Sequence, residues 1–514
     1  MNNIAFKIAK NTFFNFINRT VGFISALLLS IIVARFLGPN RFGTYSLVAF
    51  TFILADIFST AGLGMAGTKY ISEYSGKDNK DLRSGIFLYI LKFKLITTAI
   101  VVTLLITTAP YIAKFYGDKQ LIVYIIISAI NLIPSGLVAI FVGSITGLQE
   151  YKYLTYRTLM IAPITLIFYF LVLKSGYGIV GLIIINVIIS IIEAIFYLSL
   201  IREHFNFNTK YFLSTQIHKR LLKYNWQVGL LFLTDAIVWQ RSQVFFLGRF
   251  YDASEIAFYA IAFGIVEKGM TFIPSIFSSV LMPAMSELNG VGKKEDLNNL
   301  YSYSFKYIFL FVLPIFFILF VLSNHIISLL YGKDYLKAAA VLRILLISGF
   351  FRVIGSPSAG IIYSLEKQNF LLKVNSVLSI VIIVVNLLLI PKFGAIGAAI
   401  SHAFAQTVLI VIAVTFVYKV LLIKFPIKET LNIILASAIA VLFGSFIVSF
   451  KNNLVAISIS ILLSLIVYIA LIIRLRVLNS KDLKLFSMIF SKFPSPFCNF
   501  SEILVNWNLR YRNG

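Results

Sequence analysis

The sequence FLGPNRFG at residues 36–43 interrupts a long apolar stretch, and a related sequence, FLGRFYD, interrupts another at residues 246–252. Gly and Pro end helices, so each segment predicts a turn between two hydrophobic helices. Of the 514 residues, 59% are hydrophobic and only 13% are charged, whereas soluble proteins have about 25% charged residues. Apolar runs of roughly 18 residues or more recur along the chain, and each can cross a hydrocarbon core about 30 Å thick. The two turns therefore connect membrane-spanning helices of an all-α polytopic membrane protein.

The apolar runs predict fourteen membrane spans and place both termini on the cytoplasmic side. The predicted spans are 12–35, 43–65, 84–110, 120–147, 154–174, 178–200, 224–249, 255–285, 302–324, 338–362, 372–391, 394–420, 430–450 and 453–474. Most of the 45 Lys and Arg residues fall in alternate connecting segments, which are cytoplasmic because such loops are enriched in these residues. The net charge of +25 therefore indicates an oriented membrane protein and no nucleic-acid partner.

Similar short segments recur 210 to 217 residues apart, which indicates an internal duplication. The matching residues are Gly38 with Gly248, Gly117 with Gly332, Leu148 with Leu365, and Gly178 with Gly394. Spans 1–6 then correspond to spans 7–12, and an even number of spans gives both copies the same orientation. The predicted domains are an N-lobe at 1–200, a cytoplasmic linker at 201–223, a C-lobe at 224–420, spans 13–14 at 430–474 and a basic cytoplasmic tail at 475–514. Two lobes around a central cavity would suit alternating access.

The sequences RFLGPNRFGTYSLVAF at 35–50 and LADIFSTAGLGMAGTKYISEY at 54–74 resemble the start of Wzx-type polysaccharide-biosynthesis (O-antigen) flippases. These belong to the multidrug/oligosaccharidyl-lipid/polysaccharide exporter superfamily. The resemblance implies a flippase that is not an enzyme and that moves an isoprenoid-diphosphate-linked oligosaccharide from the inner to the outer leaflet of the cell membrane. It also implies that glycosyltransferases and a glycan polymerase are partners. The two-lobe architecture is shared with lipid II flippases and multidrug exporters.

Polar side chains inside the spans mark a candidate binding site, because ionisable groups are costly there. In spans 1 and 8, small and polar residues alternate at spacings of four and three, which places them on one helical face. Such faces could line a wet cavity or form helix–helix contacts. In the family that the chain resembles, the lobes meet at spans 1, 7 and 8, and a basic interior suits an anionic headgroup. The predicted substrate-binding residues are Asn15, Asn18, Arg19, Arg241, Lys268 and Arg352.

Two acidic residues within spans, Asp56 and Asp235, are the candidates for ion coupling. Each could bind H⁺ or Na⁺, pair with an Arg, or do both. No metal site and no other cofactor is predicted. Lys92 and Lys94 lie near the predicted inner end of span 3, where their side chains are expected to snorkel to the surface.

Three other classes of function remain open from the sequence. A multidrug or small-molecule cation antiporter shares the architecture, but its site generally needs acidic groups, whereas this interior is net basic. A membrane glycan polymerase or glycosyltransferase commonly carries functional residues on a sizeable outer loop, and the predicted outer loops are short. A receptor or structural membrane protein would not need a duplicated lobe.

Overall fold

The computed structural model is almost entirely α-helical. The residues that it describes are 2–60, 62–207, 213–238, 242–291, 293–364, 367–421, 427–450, 453–478 and 482. This part of the chain forms fifteen α-helices and one 3₁₀ turn, Lys333–Tyr335, and contains no strand. The helices are α1 Asn2–Thr60, α2 Leu63–Gly76, α3 Lys80–Tyr116, α4 Leu121–Gly147, α5 Tyr151–Lys174, α6 Gly178–His204, α7 Thr215–Val238, α8 Ser242–Phe250, α9 Ala253–Gly290, α10 Lys294–Val321, α11 Ser323–Leu330, α12 Lys337–Ser364, α13 Gln368–Leu421, α14 Ile427–Phe450 and α15 Leu454–Arg474.

Ten helices in the described part of the chain are long and apolar enough to cross a membrane, which confirms the predicted fold class. The two longest, α1 and α13, each contain one glycine with a non-helical backbone. These are Gly38, with φ 72° and ψ 172°, and Gly394, with φ 56° and ψ −133°. Each break separates two predicted spans. The predicted turn at 36–43 is thus shorter than expected, because Pro39 is tolerated in the first turn of the helix that resumes after Gly38.

The region of predicted spans 7 and 8 differs more from the sequence pattern. The predicted span 224–249 is divided between α7 and α8, and residues 239–241 between them lie outside the described residues. Helix α8 continues through Gly248, and the chain leaves helical structure at Tyr251 and Asp252. The predicted turn at 246–252 is therefore confirmed, but only its last two residues break the helix.

Glycines that the sequence pairs across the duplication share a positive φ angle. Gly117 and Gly332 have φ angles of 73° and 104°, and Gly178 and Gly394 both have a φ of 56°. Positive φ favours glycine, which has no Cβ to clash with the backbone. The two sequence copies therefore both place a glycine with a positive φ at these two pairs of positions. The boundaries of the two lobes stay a prediction.

The chain packs as two compact units. The first comprises Met1–Lys268, Leu330–Leu345 and Asn369–Leu409, and the second comprises Gly269–Leu329, Leu346–Gln368 and Ile410–Gly514. In the first unit, α1 packs against α3, α4 and α5, and α4 also packs against α2 and α6. In the second unit, α14 packs against α15, and both contact α10. The contacts between the second half of α1 and α3 position the main polar site.

Candidate functional site

A buried lysine lies between the second half of α1 and α3. The Lys94 side chain is only 1% exposed, and its Nζ donates to Ser59 Oγ at 2.7 Å and to Thr60 Oγ1 at 2.7 Å. The same Nζ lies 3.5 Å from Asp56 Oδ1. An ammonium carries three N–H donors, so three oxygen partners match its hydrogen-bonding capacity. These four residues, Asp56, Ser59, Thr60 and Lys94, form what is called here the Lys94 centre.

Neighbouring groups hold the Lys94 centre in place. Thr60 Oγ1 donates to Asp56 Oδ1 at 3.1 Å, and Thr97 Oγ1 on α3 donates to the Ser59 carbonyl at 2.7 Å. On α4, a Cβ added at Gly136 would lie 2.4 Å from Lys94 Cε. Gly136 therefore leaves the space that the lysine stem occupies.

The structure corrects the expectation that Lys94 snorkels. Lys92, two residues earlier, is exposed, whereas Lys94 turns inward to a carboxylate and two hydroxyl groups. Asp56 pairs with a cation, which was one of the alternatives, but that cation is a lysine and not an arginine. The Asp56 side chain is 36% exposed, so the carboxylate keeps contact with its surroundings. Pairing in membrane interiors offsets the cost of burying a charge.

The polar face predicted on span 1 divides into two parts. Arg19 is exposed, and its Nε donates to Asn15 Oδ1 at 3.4 Å. Asn18 Oδ1 instead accepts a hydrogen bond of 2.5 Å from Thr158 Oγ1 on α5. The Asn18 side chain thus contributes to helix packing, whereas Asn15, which is half-buried, pairs with the exposed Arg19.

The remaining predicted residues lie on other helices. Asp235, Lys268 and Arg352 are partly buried on α7, α9 and α12. Arg241 lies outside the described residues. The same holds for the side chains of Thr271, Ser275 and Ser278, three of the polar residues that share the predicted face of span 8. Among the predicted substrate-binding residues, the structure places Asn15 and Arg19 in direct contact. The roles of all these residues in binding or ion coupling stay predictions.

The turn at Gly38 packs against the equivalent turn of the second sequence copy. Gly43 and Ala253 correspond by the spacing of 210 residues, and a Cβ at Gly43 would lie 1.6 Å from the Ala253 carbonyl oxygen. The backbones of two equivalent helix starts therefore touch. A contact between the same position of two copies is what a two-fold relation between them produces.

Two arginines that flank the FLG sequences also make contacts between the two sequence copies. Arg35 Nε donates to the Leu330 carbonyl at 2.8 Å, and the Arg249 guanidinium lies 5.4 Å from the centroid of the Phe115 ring. Phe115 and Leu330 are equivalent positions of the duplication. Arg35 precedes the first FLG sequence and Arg249 follows the second, so two arginines at non-equivalent positions reach equivalent positions of the other copy by different contacts.

An open groove of about 510 Å³ follows the α1–α3 pair, from Phe50–Phe58 on α1 to Val101–Tyr116 on α3. Aromatic and aliphatic side chains line it, among them Phe50, Leu54, Leu104 and Phe245, and its polar side-chain groups are the hydroxyls of Thr51, Thr108, Tyr111 and Tyr116. Its apolar walls do not suit a charged headgroup, so the groove and the Lys94 centre are chemically distinct parts of one helix pair.

These features define a polytopic helical membrane protein with duplicated halves and ionisable side chains inside its spans. The chain belongs to the polysaccharide biosynthesis protein family, whose model matches residues 32–340. This confirms the family to which the sequence was predicted to belong.

Individual relatives extend the likeness over most of the chain. The uncharacterized membrane protein MJ1068 of Methanocaldococcus jannaschii is 25% identical over 446 residues, which are 84% of this chain and 88% of that protein. The probable low-salt glycan biosynthesis flippase Agl15 of Haloferax volcanii is 24% identical over 224 residues, 43% of this chain and 47% of Agl15. The structure of the lipid II flippase MurJ in an inward closed conformation matches with a TM-score of 0.72 at 20% identity, covering 91% of this chain and 99% of that one. The last comparison shows a shared fold.

Proposed function

We propose that this protein is a flippase that moves an isoprenoid-diphosphate-linked oligosaccharide from the inner to the outer leaflet of the cell membrane. The family match over residues 32–340 carries the proposal. It is supported by the fold shared with the lipid II flippase and by the partial likeness to a probable glycan biosynthesis flippase. Both termini would be cytoplasmic, and glycosyltransferases and a glycan polymerase would act before and after translocation.

The pair formed by the exposed Arg19 and the half-buried Asn15 is the described part of the predicted site that suits a diphosphate best. The hydrogen bond from Arg19 Nε to Asn15 orients the guanidinium while the side chain remains exposed. Arginine binds two phosphate oxygens at once through its planar fork, which lysine cannot do. Arg19 would therefore hold the diphosphate while the isoprenoid chain stays in the bilayer.

The charge of the headgroup explains both the need for a protein and the direction of transport. Each unpaired polar group in hydrocarbon costs several kcal/mol, so the headgroup needs protein partners to cross. Moving two negative charges outward across an inside-negative potential of about 100 mV releases roughly 4–5 kcal/mol. The membrane potential alone can therefore favour the outer leaflet.

The Lys94 centre weakens the rival proposal of a cation antiporter. A site for cationic drugs uses acidic groups, but the Asp56 carboxylate already faces the Lys94 ammonium. This pairing lowers the attraction of Asp56 for a second organic cation. The pairing of Asp56 with Lys94 does not argue against an anionic substrate.

Reconstituted proteoliposomes test the function directly. A polyprenyl-diphosphate sugar with a labelled headgroup is placed in one leaflet, and its arrival in the other is followed with an impermeant quencher, with and without an imposed potential. We expect translocation by the wild type that accelerates when the receiving side is positive. A cationic dye in place of the lipid should not be transported; dye transport without headgroup translocation would favour the antiporter.

Arg19→Ala tests the headgroup site. We expect at least a tenfold slower translocation, because the two-oxygen contact of the guanidinium is lost, and only partial recovery in Arg19→Lys. Arg202→Ala, which removes an exposed arginine at the end of α6, is the matched control and should keep the wild-type rate. An unchanged rate in Arg19→Ala would exclude Arg19 from the site while leaving the function intact.

A further inference from the structure

We infer that Lys94 is a built-in cation that fills an oxygen-lined monovalent cation site, so that Asp56 does not exchange H⁺ or Na⁺ during transport. Removing the ammonium would convert the Lys94 centre into a site for a solution cation such as Na⁺. The statement about transport rests on the proposed function, whereas the statement about the cation site does not. Of the roles predicted for Asp56, only pairing with a cation of the same chain is then left.

The ligand set is the first reason for this assignment. Around Lys94 Nζ lie one carboxylate oxygen at 3.5 Å and two hydroxyl oxygens, each at 2.7 Å. Carboxylate and hydroxyl oxygens are the kind of ligand that hard cations take in proteins. Here the charge at the centre of these oxygens is covalently attached to the chain, and its burial at 1% exposure prevents it from leaving.

A further oxygen lies close to the lysine stem. Thr98 Oγ1 is buried and has no hydrogen-bond partner among the residues that the structure describes. Thr98 follows Lys94 by one helical turn, and its Oγ1 lies 3.5 Å from the Cβ position of Gly136, the position that also meets the lysine stem. A shorter, uncharged side chain at position 94 would leave space beside an unpaired carboxylate and an unpaired hydroxyl oxygen.

Asp56 is much more exposed than the lysine with which it pairs. The Asp56 side chain is 36% exposed, so the protein does not enclose its carboxylate. In the wild type, an entering cation would meet an ammonium already in the position that balances the charge, and the two cations would repel each other. Without Lys94, the carboxylate would need a counter-ion, and Na⁺ would supply it. The lysine therefore explains how an acidic residue can lie within a span without making transport depend on an ion at that position.

Purified protein in detergent tests the cation site without any transport measurement. The variants are Lys94→Met, the double variant Asp56→Asn/Lys94→Met, and Lys92→Met as the matched control on the same helix. Thermal unfolding is measured in NaCl and in choline chloride at equal ionic strength. Lys94→Met should show an Na⁺-specific, saturable rise in Tm of a few degrees, because a ligand that binds only the folded state stabilises it. The wild type, Lys92→Met and the double variant should show none.

Two results would overturn the inference. One is a folded Lys94→Met protein whose Tm does not respond specifically to Na⁺ or K⁺. The other is Na⁺-specific stabilisation of the wild type that Asp56→Asn abolishes, and this measurement decides the matter even if Lys94→Met fails to fold. In proteoliposomes, wild-type translocation should not change when Na⁺ replaces choline. Absence of any wild-type translocation would count against the proposed function and leave the unfolding result standing.

Discussion

Two buried lysines in this protein pair with aspartates in very different surroundings. Lys94 faces Asp56, whose side chain is 36% exposed, whereas Lys306 on α10 pairs with Asp482, whose side chain is 1% exposed. At the second pair, Tyr307 Oη donates to the other carboxylate oxygen of Asp482 at 2.6 Å. The carboxylate of the first pair is open to the protein surface, and the second pair is closed. The difference separates a centre whose aspartate is partly exposed from a buried pair that fastens the chain.

The closed pair acts on a part of the chain that the sequence left undefined. Asp482 lies in the predicted basic tail, beyond α15, and 176 residues separate it from Lys306. The ion pair attaches this residue to α10 within one compact unit. A buried ion pair between distant segments favours one arrangement of the chain, because the alternatives leave a charge buried without a partner.

The largest expected effect comes from removing the cation of the Lys306–Asp482 pair. Lys306→Met leaves the Asp482 carboxylate buried without its cation, and breaking such a pair costs about 3–5 kcal/mol. We expect a large drop in the unfolding midpoint in detergent, with part of it recovered in the double variant Lys306→Met/Asp482→Leu. Lys293→Met, which changes an exposed lysine just before α10, is the control and should unfold like the wild type. A Lys306→Met protein as stable as this control would show that the pair contributes nothing to stability.

The same substitution should cost less in the open centre. In Lys94→Met without Na⁺ or K⁺, the Asp56 carboxylate can still be hydrated or protonated through its exposed side, so we expect a loss of about 2 kcal/mol. Equilibrium unfolding of both Lys→Met variants in choline chloride gives the comparison. Equal losses in the two variants would show that exposure of the aspartate does not distinguish the centres.

The sequence predicted the helices well because their signals are local. Apolar runs marked the spans, and glycines such as Gly117 and Gly178 marked turns that the structure places at positive φ. It identified Asp56 as an ionisable residue inside a span but not its partner. That partner depends on how α3 is rotated against α1 and on the space at Gly136 of α4, and neither appears in a local pattern.

The contacts of the predicted substrate-binding residues also depend on helix packing, which a local sequence pattern does not reveal. A polar stripe predicts which residues share a helical face, but not what that face meets. Asn18 accepts a hydrogen bond from Thr158 on α5, whereas Asn15, on the same predicted face, accepts one from the exposed Arg19 at the border of that face. One face of span 1 therefore carries both a helix–helix contact and a polar side chain that faces no other described helix in this way, and the neighbouring helix makes the difference.

The smallest effect should come from a single hydroxyl that supports the open centre from outside. Thr97 Oγ1 donates to the Ser59 carbonyl at 2.7 Å, and Thr97→Val keeps the shape of the side chain while removing this bond. We expect a loss of about 1 kcal/mol, the usual net value of one such hydrogen bond. Thr103→Val is the matched control, because the exposed Thr103 hydroxyl bonds to Ala99 O of its own helix. If the two valine variants unfold alike, the bond between α3 and α1 does not hold Ser59 against Lys94, and the centre depends on its charges alone.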